Sequence, residues 1–169
     1  MTVEVLEAMT TAASGAAEVH LAGAVLERSR HVCAFFHSAD EAYRVLLPFI
    51  AEGLERGEKA FHIVDPAMRG DHLRRLEERG IDAGSAERGG QLVVRVWQDA
   101  YLRGGHFDQN AMLALIEEVL TSGAAQGFPL TRLVAQMEWA LEDRPGVDDL
   151  VEYETRLNYI LPKYRDPVV

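Results

Sequence analysis

The sequence predicts an α/β fold: a three-layer, mostly parallel sheet with helices on both faces. Two observations carry this. Short apolar runs rich in β-branched and aromatic residues alternate with stretches of helical period, and the connections between them are too short for anything but packed layers. A third agrees, since 169 residues without an internal repeat or low-complexity linker suit one domain with a sizeable core.

Residues 1–28 are Ala-rich and broken at Ser14-Gly15, so they read as a flexible or partly helical leader, and the domain proper as residues 29–169. Residues 31–36, HVCAFF, read as a short buried strand. Ser38 and Glu41 form a capping-box pattern that opens an amphipathic helix over 43–56, and residues 59–64 make a second buried strand. Asp65-Pro66 is a turn whose Asp65 can cap the helix carrying Leu73 and Leu76, which Gly80 closes. Residues 91–97 form a third strand. Asp108 starts a helix that keeps its spacing through Met112, Leu115, Ile116, Val119 and Leu120 until Gly123. Residues 131–137 form a fourth strand, and Asp148 or Asp149 caps a last helix that Pro162 stops. Residues 166–169 read as a turn entering one more strand, marking either a shortened chain or a sheet that has lost an element.

The stretch 31–66 is laid out like a nucleotide-binding β-α-β unit, yet its turn His37-Ser38-Ala39-Asp40-Glu41 has no Gly and no Lys and places two carboxylates where a phosphate would sit. Nucleotide hydrolysis is therefore not expected of it. Lys plus Arg number 17 against 27 Asp plus Glu, a net charge of −10 that disfavours nucleic acid and anionic membrane as partners. The seven arginines from Arg69 to Arg103 are interleaved with acids and make a mixed-charge surface. With one cysteine, no secretory leader and no run of roughly twenty apolar residues, a cytoplasmic protein is expected.

In a parallel sheet a ligand is expected beyond the carboxyl ends of the strands. That rule selects His37, Ser38 and Asp40 after the first strand and Asp65 after the second. It adds Trp97, Asp99 and Tyr101 after the third, and Glu138 with Trp139 after the fourth. Such a set gives apolar walls with a few orienting polar groups, suited to a small organic molecule. The alternative role for the same residues is structural, with the tryptophans as core anchors and the aspartates as caps. His31 and Cys33 alternate onto one face of the first strand, expected to be buried, with Glu138 or Glu154 accepting from the imidazole. With His37 or His62 they sketch a Cys/His metal site, but the i, i+2 spacing and lone thiolate are not a zinc pattern, and no metal or cofactor is expected. A Cys-His hydrolase is disfavoured because Cys33 lies inside a strand.

The runs HVCAFF, HSADE, LLPFIAEGLERGEKAFHIVDP, the GID of Gly80 to Asp82, the QMEWAL of Gln136 to Leu141 and the PG...LVEYETRLN of Pro145 to Asn158 together resemble the MEDS family. This is the sensory domain named for methanogens, methylotrophs and a dichloromethane-responsive regulator, and the resemblance covers His31 to Val169. It implies a RecA-like fold without the phosphate loop and non-enzymatic sensing of small hydrocarbon derivatives, in regulators where the domain is joined to a DNA-binding or histidine-kinase-type module. Family members continue past the position of Val169 with another strand and a helical tail. The expected partners are thus a small organic ligand and a signalling protein, with a homodimer one form the assembly could take. Two other readings stay open: an interaction module docking a kinase or anti-sigma-type protein without ligand, and a metal- or haem-binding sensor built on His31, Cys33 and Glu138.

Overall fold

Every residue of β3 (Lys59–Val64) is buried, which is what a central parallel strand covered on both faces requires. The computed structural model describes residues 18–27 and 30–169. β3 pairs in parallel with β4 (Leu92–Val96) on one side and β5 (Thr131–Ala135) on the other, placing Phe61 between Val93 and Leu133. The sheet is extended beyond β5 by single parallel bridges, Leu133 to Val168 and Val168 to His31. Residues 166–169 thus enter the sheet as expected.

Alternation along β3 divides the core. Phe61 and Ile63 join Leu133 against α4 (Gln109–Ala125) and α5 (Leu150–Ile160), while Ala60 faces α1 (Ala39–Glu55), α2 (Arg69–Glu78) and α3 (Ala83–Arg88) with Leu46, Ile50, Leu76 and Leu92. The molecule is a mixed α/β fold whose parallel sheet is flanked by helices. Ser38 caps α1 by accepting from the Glu41 amide at 3.2 Å, and Glu41 returns to the His37 amide at 2.7 Å. Asp65 accepts from the Ala67 amide at 2.8 Å, and Asp108 caps α4 through Asn110 and Ala111.

Three expectations need correction. Residues 19–26 of the expected leader form a hairpin of β1 (Val19–Leu21) and β2 (Ala24–Leu26) that buries Val19 on α1, because alternating Val-His-Leu around Ala22-Gly23 suits a turn with positive φ. The rest of that leader reading, residues 1–17 and 28, lies outside the described residues. Residues 31–36 do not form a full strand: only His31 bridges, since Val168 is the one neighbour it meets before the ladder stops. Residues 83–88, unassigned from sequence, form α3, capped by Asp82 accepting from the Ser85 amide at 2.7 Å.

Candidate functional site

The carboxyl ends of β4 and β5 lead into two loops built of short 3-10 turns, Trp97–Asp99 and Arg103–Gly105 in one, Glu138–Leu141 and Val147–Asp149 in the other. The loops are fastened together where the Phe107 amide donates to the Pro145 carbonyl at 2.9 Å. Gly146 beside it has φ 88°, and a Cβ there would run into the Phe107 carbonyl, so the crossing needs glycine.

Beneath them four rings meet. Tyr101 and Trp139 lie 5.0 Å apart between centroids, Phe107 and Trp139 5.1 Å, and Tyr153 of α5 stands edge-on to Phe107 at 5.4 Å and to Tyr101 at 6.3 Å. Such pairs add about 0.5–1.5 kcal/mol each beyond their burial. Trp139 is fully buried, yet its indole N–H has no hydrogen-bond partner, a cost of about 1–3 kcal/mol against a satisfied donor. Trp97 differs: its indole donates to the Gln136 carbonyl at 3.0 Å. Burial pushes the Tyr101 and Tyr153 hydroxyls up, and the nearby Glu154 carboxylate adds to the effect.

On the other face of the sheet lies a buried polar chain. Tyr43 Oη and His72 Nδ1 are 2.8 Å apart, and His72 Nε2 and His62 Nδ1 2.9 Å apart. Burial holds His62 well below the usual imidazole value and His72 down to about 4, so both rings are neutral at pH 7. Burial also pushes Tyr43 up to about 12, with the Asp71 carboxylate adding to the effect and the Arg75 guanidinium opposing it. His62 Nε2, at the end of this polar chain, has no hydrogen-bond partner among the described residues. At the strand ends, the Gln136 side chain accepts from the Asp65 amide at 3.0 Å.

The expected site residues divide accordingly. Tyr101 and Trp139 come together in the aromatic cluster, and Trp97 and Asp65 converge on Gln136. Ser38 is a helix cap, Asp40 an exposed partner of Arg75 at 2.7 Å, and His37 and Glu138 are exposed. His31 is held at 3.2 Å by Glu154 and at 3.0 Å by Asn158, and the Glu154 bond raises its pKa. Glu154 is one of the two acidic partners expected for this imidazole, the other being Glu138. Cys33 is exposed, contrary to the expectation of a buried pair, because none of the described strands or helices covers the chain after the His31 bridge. His31, Cys33 and Glu138 therefore do not converge, and the described residues contain no metal-binding group of three or more His, Cys, Asp or Glu.

Sequence reasoning missed Phe107, Tyr153, Tyr43 and His72. Their signal is faint, because each belongs to an ordinary apolar helix or loop position and becomes special only by what faces it. A separate open groove of about 590 Å³ lies at the amino-terminal ends of the strands, lined by Leu54, Ile81, Gln91 and Phe128, away from this chemistry.

The described residues form a mixed α/β domain with a parallel sheet flanked by helices and an aromatic cluster under two loops, and none of their helices is long and apolar enough to cross a membrane. The chain belongs to the MEDS family, described as the MEthanogen/methylotroph, DcmR Sensory domain, which it matches over residues 30–167. It is 27% identical over 154 residues to the Transcriptional repressor DcmR of Methylorubrum extorquens, a match covering 91% of this chain and 55% of that protein. The chain thus spans about half the length of that relative. No solved structure matches.

Proposed function

We propose that this domain is a non-enzymatic sensor in which a small, mostly apolar organic molecule with one hydrogen-bond acceptor lodges among Tyr101, Phe107, Trp139 and Tyr153, and that the resulting loop shift is passed to a regulatory partner. The observation that carries this reading is the buried indole N–H of Trp139, unpaired inside an aromatic cluster at the strand ends. A ligand acceptor there would satisfy the donor and replace ring–ring contact with ring–ligand contact at little cost in apolar burial. Loops of 3-10 turns are an inexpensive element to displace, because their hydrogen bonds are few and poorly aligned.

Family membership and the repressor relative support a regulatory output, delivered to a transcription regulator or a histidine-kinase-type protein. The net charge of −10 favours a protein partner over direct nucleic-acid contact. The RecA-like type is supported by the parallel sheet with helices on both faces, and a cytoplasmic location by the composition and the free thiol.

Dichloromethane, methanol and acetone serve as probes in a thermal-shift series. At least one should raise Tm by several degrees in a saturable manner in the wild-type protein. Trp139→Phe keeps the ring and removes the donor, and should abolish most of that shift while folding normally. Stabilisation of equal size in Trp139→Phe, or none with any probe, contradicts the assignment.

A further inference from the structure

Gln136, the first residue after β5, fastens the carboxyl ends of all three parallel strands. Its amide donates to the Ile63 carbonyl of β3 at 2.8 Å, its carbonyl accepts from the Trp97 indole at the end of β4 at 3.0 Å, and its side-chain Oε1 accepts from the Asp65 amide just past β3 at 3.0 Å. Each contact leads to a different element. Trp97 opens the loop that carries Tyr101, and its carbonyl holds the Ala100 and Leu102 amides at 3.1 and 2.9 Å. Gln136 itself leads into the turn that carries Trp139. Asp65 caps the helical run of Pro66–Met68 and α2: its carboxylate accepts from the Ala67 amide at 2.8 Å and its carbonyl from the Met68 amide at 2.9 Å. α2 packs on the opposite face of the sheet from the aromatic cluster. Among the described residues, the Gln136–Asp65 bond is the only side-chain hydrogen bond that joins β5 and the two loops to residues 65–78.

We propose that Gln136 is a positioning residue that couples the two loops of the aromatic cluster to α2, so that a signal crosses the sheet and leaves through α2. The source of the signal rests on the ligand reading proposed for Trp139, whereas the coupling is a property of the hydrogen bonds alone. β3 is buried along its whole length and close-packed on both faces, so it cannot slide to absorb a shift. The pull of Gln136 on Asp65 therefore falls on the turn that sets the start of α2. The inner side of α2 carries the buried His72 and Leu76, and its outer side the exposed Arg74 and Glu78. A tilt of its first turn moves a charged surface on the far side of the sheet from the rings.

The test is the ¹H–¹⁵N amide spectrum of the full chain with a loop displaced by substitution. Gly146→Ala drives a Cβ against the Phe107 carbonyl, so the loops must shift without any ligand. The Asp65, Ala67 and Met68 resonances should then move by more than a line width. Glu58, bonded to the Gly53 carbonyl at the amino end of β3, should not move. Gln136→Met keeps the backbone bonds and removes Oε1, and in that background Gly146→Ala should leave the three resonances in place. Trp139→Phe supplies the loop perturbation if Gly146→Ala does not fold. Resonances that stay fixed on Gly146→Ala, that move equally in the Gln136→Met background, or that move in step with Glu58 would overturn the coupling. On titration with dichloromethane, methanol or acetone, the same three resonances should follow the Trp139 indole in the wild-type protein and not in Gln136→Met. The substitution arm uses no ligand, so it decides the coupling even where every probe leaves the indole unmoved, the result that counts against the ligand reading instead.

Discussion

Arg132→Met is expected to lower the unfolding free energy by about 3–5 kcal/mol, the largest stability effect of any single substitution considered for this chain. Arg132 lies on β5 facing α1, 1% exposed, with Nε 2.5 Å from Glu58 and Nη1 bonded to the Phe49 carbonyl at 2.6 Å and to Glu52 at 2.9 Å. Its guanidinium also stacks 4.7 Å over the Phe49 ring. The space is cut to fit: a Cβ on Gly53 would come within 2.5 Å of Arg132 Nε. Glu58 is 2% exposed, so removing the arginine strands a carboxylate that water cannot reach. Glu52 fares better, since His20 of the hairpin holds it at 2.7 Å and Arg56 at 2.7 Å. Urea unfolding should therefore show Arg132→Met/Glu58→Leu to be more stable than Arg132→Met alone. A single variant within about 1 kcal/mol of wild type would show that the pair contributes nothing net.

The second large effect is a loss of stability on acidification, set by His62 and His72. Both are held below the ordinary imidazole value by burial, His72 at about 4. The unfolded chain takes up protons near pH 6.5 while the folded chain does not, so stability is full above 6.5 and falls as pH drops from 6.5 towards 4. His72 alone accounts for about 3 kcal/mol over that window, and roughly 6–12 °C in Tm for a chain of this size. His31 acts in the opposite sense: its pKa is raised by Glu154, so its contribution is present below 6.5 and lost as pH rises through the folded value. Calorimetric scans from pH 7 to 4.5 should show the drop, and His62→Leu/His72→Leu should flatten it. An unchanged slope in the double variant would assign the acid sensitivity to the carboxylates instead.

How much of this was legible in the sequence depended on whether a feature is local. Residues 59–64 are a strand in both readings because a short, mostly apolar run between Gly57 and Asp65 has no competing period. The caps at Ser38, Asp65 and Asp108 were legible because an N-cap is a contact across two or three residues. Residues 31–36 failed for the reason edge strands often do. Their composition is that of a strand, but a strand exists only with a partner, and Val168 supplies one only as far as Val32. α3 escaped notice because six residues containing Gly84 have too little periodicity to register.

The site was half visible. Position after β4 and β5 found Tyr101 and Trp139, whereas Phe107 and Tyr153 reach them from elements separated by more than thirty residues from one or the other. The chain of Tyr43, His72 and His62 joins α1, α2 and β3 and has no spacing signature at all. The misplacement of Cys33 follows from the edge error, because alternation assigns a face only where a sheet continues to cover it.

The two tryptophans give the most direct measurement, the ¹H–¹⁵N spectrum of the indole groups during titration with dichloromethane, methanol and acetone. Trp97 is bonded to the Gln136 carbonyl and Trp139 is unpaired, so they start at different positions and Trp139→Phe assigns them. With a cognate probe the Trp139 resonance should move downfield and saturate as its N–H acquires an acceptor, while the Trp97 resonance holds its hydrogen-bonded position. A Trp139 resonance that stays fixed with every probe, or one that drifts linearly in step with Trp97 as bulk solvent changes, would contradict a ligand site at this indole.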